Sequence, residues 1–389
     1  MFSFFAAARK SASLIVVALA ALVLAGCDAA IGTGPRISTS APVPVALLVP
    51  AGSESPGDAI LAQSLENAAR LAMADLDGVT IDLRVYPTAG QPDRAAMAAQ
   101  QAVADGAKIV LGPVYAAAAN AAGSAVAGRG INVLAFSNNP AIAGGNVFIL
   151  GPTFQNSADR LVAYAVSQGV TRIHVAHGND ASELAASDAI VSAIVRQGAV
   201  LVGTTAFELN QQGVVDAVPV IVADVRSSGA QALFVTSGTS GALPFLAQLL
   251  PEAGLDPAET RYIGLQRWDV PASAMTLPGL QGGWFARPDP GLANLFAQRY
   301  SAAFGGPPHT IAGLAYDGIA AIGALVAAGK SDALTSTALT QGAGFAGVNG
   351  VFRLLPDGTN ERGLTISQIL DNQVSVIDPA PRSFGQAGF

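Results

Sequence analysis

The chain has 389 residues, of which 51% are apolar and 12% charged, so it can build one large core or two ordinary ones and does not read as disordered. A net charge of -7 leaves no electrostatic footprint for nucleic acid, and no polybasic segment is present to hold the chain on anionic lipid. Cys27 is the only cysteine, which excludes an internal disulfide framework.

The first residues set the compartment. Arg9-Lys10 form a positive n-region, Leu14 to Leu24 an apolar segment of 11 residues, and Leu24-Ala25-Gly26 a small-residue cleavage site. Spanning a bilayer takes about 20 apolar residues, so this segment reads as a signal peptide over 1–26. A cysteine directly after Leu-Ala-Gly resembles a lipobox, in which the thiol is acylated and becomes the new N-terminus. Cys27 is therefore the expected lipidation site, and the protein is expected on the periplasmic face, lipid-anchored to the bacterial membrane. Cleavage would remove Arg9 and Lys10 and leave 18 positive against 27 negative side chains, a net of -9, so the acyl chains alone must hold it there. Residues 27–41, small and polar with Gly and Pro, read as a flexible tether.

Strand and helix patterns then alternate. A strand over 43–50 leads through a polar loop to a helix over 59–74, with Ile60, Leu61, Leu65, Ala68, Ala69 and Ala72 on one apolar face and Asp58 as its N-cap. A strand over 79–85 and a helix over 93–104 follow. The stretch 108–140 is a βαβ unit: the apolar run Ile109 to Leu111 breaks at Gly112-Pro113, an alanine-rich helix fills 116–126, and the run 131–136 ends in Ser137-Asn138-Asn139-Pro140. Phe148 to Pro152 reads as a crossing, because strands at 172–176, 199–204, 232–235 and 262–264 then alternate with helices at 182–197, 214–227 and 243–250. A strand at 282–285, helices over 292–304 and 310–328, and a terminal hairpin of 345–355 with 364–376 across Pro356-Asp357-Gly358-Thr359 complete the chain. This is an α/β chain of two Rossmann-like lobes with parallel sheets joined by a hinge. Lobe 1 is expected over 42–152 plus 279–344, lobe 2 over 153–278 plus 345–379, with pivots near Gly151 and Gly347.

Ligands of open α/β sheets bind outside the carboxyl ends of the strands. That rule selects Ser53, Ser55, Tyr115, Ala116, Ser137, Asn138 and Asn139 from the first lobe. From the second it selects Asp180, Thr239, Ser240, Gln266, Arg267 and Trp268, where the large aromatic is expected to pack on a ligand. Arg267 could instead pair with Asp269. His174 and His177 have a spacing that would bring them to one sheet edge, yet no motif supplies further metal ligands. Gly342 to Gly347 spells a dinucleotide fingerprint without the strand before it or the helix after it, and reads as a tight connection. No nucleophile motif is present. No catalytic residue, metal or cofactor is expected.

The stretches KIVLGPVYAAAANAAG, GRGINVLAFSNNP, GGWFARPDP and GFAGVNGVFRLLPDGT resemble the lipoprotein-type type 1 periplasmic-binding family, over roughly 43–376. That family holds penicillin-binding protein activators and is related to the leucine/isoleucine/valine-binding proteins of ABC importers. The resemblance implies a non-enzymatic lipoprotein. Its partner would be a penicillin-binding protein, a peptidoglycan synthase whose cell-wall assembly it regulates. The alternative is the substrate-binding protein of an ABC importer for branched-chain or other amino acids, with an ABC permease as partner and a small polar ligand in the cleft. Activators often carry an N-terminal helical-repeat domain, for which 27–43 offers no room. Amino-acid binders present hydroxyls at the loop matching Tyr115 to Ala118 and an acid at the loop matching Leu265-Gln266-Arg267. Here those places hold alanines and Gln-Arg, so a buried ammonium would find no partner, and tight binding of a free α-amino acid is not expected. Cys27→Ser is expected to release the protein from the membrane fraction or leave it unprocessed; recovery of processed mutant with membranes would rule out the lipobox.

Overall fold

The computed structural model describes residues 34–384; the expected signal peptide and Cys27 lie outside the described residues. In the first lobe, β1 (Val43–Val49), β2 (Ile81–Pro87), β3 (Ile109–Leu111), β4 (Val133–Ala135) and β5 (Val147–Ile149) form one parallel sheet in the order β2-β1-β3-β4-β5. The inner strands are apolar on both sides because helices cover both faces. The edge strand β2 is only half-buried and carries the Asp82–Arg84 ion pair. On one face α1 (Asp58–Ala74) packs beside α9 (Gly313–Ala327). On the other lie α2 (Pro92–Ala104) and α3 (Ala116–Val126), whose buried sides are almost entirely alanine, so their backbones approach the sheet closely.

The second lobe repeats the plan. Strands β6 (Arg172–Gly178), β7 (Val200–Phe207), β8 (Ala232–Val235), β9 (Arg261–Gly264) and β10 (Trp284–Arg287) run parallel in the order β7-β6-β8-β9-β10. Helices α4 (Phe154–Ser167) and α5 (Ala181–Arg196) cover one face, α6 (Gln211–Ser228) and α7 (Leu243–Glu252) the other. Two antiparallel strands, β14 (Thr365–Leu370) and β15 (Gln373–Asp378), extend the sheet beyond β10. The chain returns to the first lobe through α8 (Pro290–Phe304) and α9, then through a small antiparallel sheet of β11 (Phe345–Gly347), β12 (Gly350–Leu354) and β13 (Asn360–Arg362), whose Phe345, Phe352 and Leu354 enter the first-lobe core.

Several sequence expectations need correction. Residues 34–41 are not a free tether: Ile37 is buried in the first-lobe core and its N–H donates to the carbonyl of Ser331 at 2.8 Å. Phe148 lies in β5, which pairs with β4, so the crossing begins only at Leu150. The segment 284–287 belongs to the second lobe and 345–362 to the first, because sheet pairing and core packing at those places join residues far apart in sequence. The turn at 356–359 joins β12 to β13 rather than to 364–376. The latter stretch is itself a hairpin, closed by Asp371 and Asn372 at positive φ, the conformation a two-residue primed turn requires. Asp58 is the first residue of α1 and Gly57 its cap, which leaves the carboxylate for another partner.

Val110 is fully buried between β1 and β4. Val110→Asp places an unpaired charge there, at a cost of several kcal/mol that a protein of ~5–15 kcal/mol stability does not survive. The expected result is loss of the cooperative thermal transition followed by circular dichroism; an unchanged transition would contradict this sheet.

Candidate ligand-binding site between the lobes

The backbone passes between the lobes three times, after β5, after β10 and after β13. Carbonyls at the first crossing have no sheet partner, and side chains supply the donors. Asn360 Nδ2 donates to the carbonyls of Ile149 at 2.8 Å and Gly151 at 2.9 Å, while its own carbonyl accepts from Asn156 Nδ2 at 2.8 Å. Arg362 donates to the carbonyl of Leu150 through Nε at 3.1 Å and also through Nη2, and its Nη1 lies 3.4 Å from Asp317 Oδ2. Asp317 is fully buried on α9 and accepts the Val348 N–H at 2.8 Å. Burial pushes the Asp317 carboxyl up and the Arg362 guanidinium down, each opposed by the charge of the other. Gly151 stands in the first crossing, as expected. Gly347 does not pivot: it ends β11, where any Cβ would overlap the Asp317 carboxylate, and the third crossing follows Arg362 instead.

Each parallel sheet has a switch point, between β1 and β3 and between β6 and β8, and the chain bridges both with its own carboxylates. In the first lobe Tyr115 Oη donates to Asp58 Oδ1 at 2.5 Å. That hydrogen bond, with some burial, pushes the phenol up to about 12. In the second, Glu183 accepts the hydroxyls of Ser237 at 2.8 Å and of Thr236, and the N–H of Gly178 at 3.3 Å. Asp58 and Glu183 stand in the first turn of the helix that follows the first strand of each lobe, where the helix dipole favours negative charge.

Most of the expected site residues serve their own loops. Ser53 Oγ accepts from the N–H of Ser55, the buried Ser137 Oγ from the N–H of Asn139, and Asn139 Oδ1 from the N–H of Ala141. Asp180 caps α5 by accepting the Glu183 N–H at 2.7 Å, and Thr239 donates to the carbonyl of Val270 at 2.6 Å. Ser55, Asn138 and Ser240 are exposed, and Ala116 opens α3. Trp268 is the clearest departure. It is wholly buried, with its indole where a Cβ on Gly264 or Gly283 would be and Phe285 beside it, so it packs into the second-lobe core, where it anchors the loop after β9. His174 and His177 lie buried in β6, their ring nitrogens bonded to Thr205 Oγ1 and the Gly178 carbonyl at 2.8 Å each.

Of the expected residues, Gln266 and Arg267 line a cavity of about 240 Å³ that all three crossings border. Phe154, Leu265 and Leu364 come to it from the second lobe, and Thr310, Ile311, Leu314 and Asn349 from the first. Arg287 and Arg362 add two more guanidiniums. Asp269 binds both Arg267, at 2.9 and 2.8 Å, and Arg287, at 2.9 Å. Burial would raise its carboxyl, but the hydrogen bonds and charges of the two guanidiniums outweigh that and hold it below the usual carboxylate range. Sequence reasoning passed over Arg287, although it ends a strand at a carboxyl edge and the same rule would have selected it. Thr310, Ile311 and Asn349 offer no local signal, since only the return of α9 and of the β11–β12 turn brings them here.

The pattern of two 2-1-3-4-5 sheets, three crossings and a cavity between them has a counterpart among known proteins. Residues 42–373 match a family described as periplasmic binding protein. The chain belongs to the periplasmic binding protein family. It is a family of ligand binders and implies a periplasmic location. Among solved structures, a Rhodospirillum rubrum protein assigned as a branched-chain amino acid ABC transporter superposes with a TM-score of 0.73 at 19% identity, over 87% of this chain and 100% of that one. An ABC transporter substrate-binding protein from Desulfitobacterium hafniense in complex with Leu gives 0.61 at 19%, over 87% and 100%. A solute-binding protein of an ABC transporter from Rhodopseudomonas palustris BisB5, in complex with 3,4-dihydroxybenzoic acid, gives 0.56 at 18%, over 88% and 98%. At these identities the likeness is one of fold. No curated protein matches the chain.

In this binding protein Asp269 is the counter-charge of two arginines that line the cavity, Arg267 and Arg287. A carboxyl held below its ordinary 3.8 contributes stability above that pH and loses it as pH falls through the depressed folded value. Asp269→Asn is expected to lower the unfolding free energy by ~1–3 kcal/mol at pH 7, because it strips the counter-charge from the largely buried Arg287. The difference from wild type should shrink below pH 3.8. Urea titrations at several pH values measure both, and a pH-independent difference would argue against the ion-pair account.

Proposed function

We propose that the chain is the solute-binding component of an ABC-type importer, which captures a small polar solute between its lobes and delivers it to a permease. The observation that carries this reading is the cavity itself, walled by both lobes and bordered by all three crossings, so that rotation about the crossings opens or closes it. The transporter names of the structural neighbours support the importer over the penicillin-binding protein activator. The Cys27 lipobox supports a lipid tether to the membrane that holds the permease.

A thermal-shift panel of amino acids, organic acids, sugars and muropeptides tests the reading on the full-length protein. One small solute should bind with micromolar or tighter affinity and stabilise by about 2.7 kcal/mol at a hundredfold excess over Kd, and small-angle scattering should show a smaller radius of gyration with that solute present. A flat panel, together with recovery of a peptidoglycan synthase in a membrane pull-down, would defeat the importer reading.

A further inference from the structure

The charges around the inter-lobe cavity do not balance. Three guanidiniums line it, from Arg267, Arg287 and Arg362, and no acidic residue does. Asp317 answers Arg362 from behind and is fully buried. Asp269 alone answers both Arg267 and Arg287, so this triad keeps one uncompensated positive charge at the cavity wall. Donors remain as well. Arg287 uses Nη1 on Asp269 and Nε on Ser367 Oγ at 2.9 Å, and Arg267 uses Nε and Nη2 on Asp269. Among the described residues, Nη2 of Arg287 and Nη1 of Arg267 have no hydrogen-bond partner.

Arg287 is mostly out of water, with a side chain 15% exposed, so an anion placed against it would be screened little. The rest of the wall is largely apolar, from Phe154, Leu265, Ile311, Leu314 and Leu364. A ligand ammonium would meet no carboxylate here. The two acids nearest in the bonding network are already taken, Asp269 by two guanidiniums and Asp317 by Arg362 and the Val348 N–H. An ammonium enclosed without a partner, beside surplus positive charge, costs several kcal/mol.

We infer that this cavity selects a carboxylate with a short apolar body and no ammonium group. The inference rests on the importer reading and narrows it to a substrate class. The carboxylate takes the unspent guanidinium donors of Arg287 and Arg267 and completes the charge balance of the Asp269 triad. The apolar body lies against the Leu265, Ile311, Leu314 and Leu364 surface. The volume of about 240 Å³, just below the usual ~300 Å³ of small-molecule pockets, suits a body of a few carbons rather than a peptide or sugar chain.

Leucine and two compounds that each lack one of its charged groups test this by calorimetric titration of the full-length protein: 4-methylpentanoate, which lacks the ammonium, and 3-methylbutan-1-amine, which lacks the carboxylate. The acid should bind at least about tenfold tighter than leucine, and the amine should give no heat. Arg267→Gln, at a half-exposed position, should keep the melting temperature and weaken the acid by about tenfold or more. Leucine binding tighter than the acid, or an unchanged acid affinity in Arg267→Gln, would overturn the substrate class and leave the importer reading standing. If none of the three binds while a sugar or muropeptide from the wider panel does, the substrate class again fails alone. No binding by any solute would sink both.

Discussion

The buried pair of Arg362 and Asp317 ties the first and third crossings between the lobes to one another. A buried ion pair is seldom a bargain in free energy, since desolvating two charges costs about as much as their attraction returns. Here the guanidinium has further work. The chain leaves β5 at Leu150, so the carbonyls beyond it lose their ladder partners while remaining inside the protein, and Arg362 and Asn360 reach back from the third crossing to satisfy them. Asp317 then fixes the guanidinium from α9 and holds the β11–β12 turn through the Val348 N–H. The first crossing, the third crossing and a first-lobe helix are thereby bonded to one another. Arg362 also lines the cavity between the lobes, so the residue that holds the first and third crossings together is part of its wall.

The two lobes share one strand order and one way of closing it. In each, the helix after the first strand begins with a carboxylate that accepts hydroxyl groups from the loop across the switch point: Asp58 from Tyr115, Glu183 from Ser237 and Thr236. A helix N-terminus at a switch point is ordinarily an attractive place for a ligand anion. Once the protein's own carboxylate sits there, that attraction is spent. The remaining positive charge lies at the ends of β9 and β10, and those strand ends border the cavity. Trp268 matters to it indirectly. By filling the space over Gly264 and Gly283, the indole pins the loop whose preceding residues, Gln266 and Arg267, form part of the cavity wall.

The sequence by itself determined the two-lobed α/β architecture. Its signals are short-range: apolar runs of strand length, alanine-rich helices, and Gly-Pro breaks such as Gly112-Pro113, where any Cβ on Gly112 would collide with the Leu48 carbonyl. It also pointed to strand ends for the candidate site and to Arg267 as one of its residues, because strand direction and side-chain charge are local properties. The tertiary structure alone decided which strand ends matter. It set Arg287 and Arg267 on either side of Asp269, buried Trp268 against glycines up to 15 positions away, and delivered Thr310 and Asn349 to the cavity from a lobe the chain had left. It also moved β10 into one lobe and the small β11–β12–β13 sheet into the other, since strand pairing depends on which edge lies open when the chain returns. Charge pairing and burial are sums over neighbours, and neighbours exist only after the chain has folded. A sequence can therefore name the groups that carry charge, but the folded lobes decide which of those charges is left for a ligand.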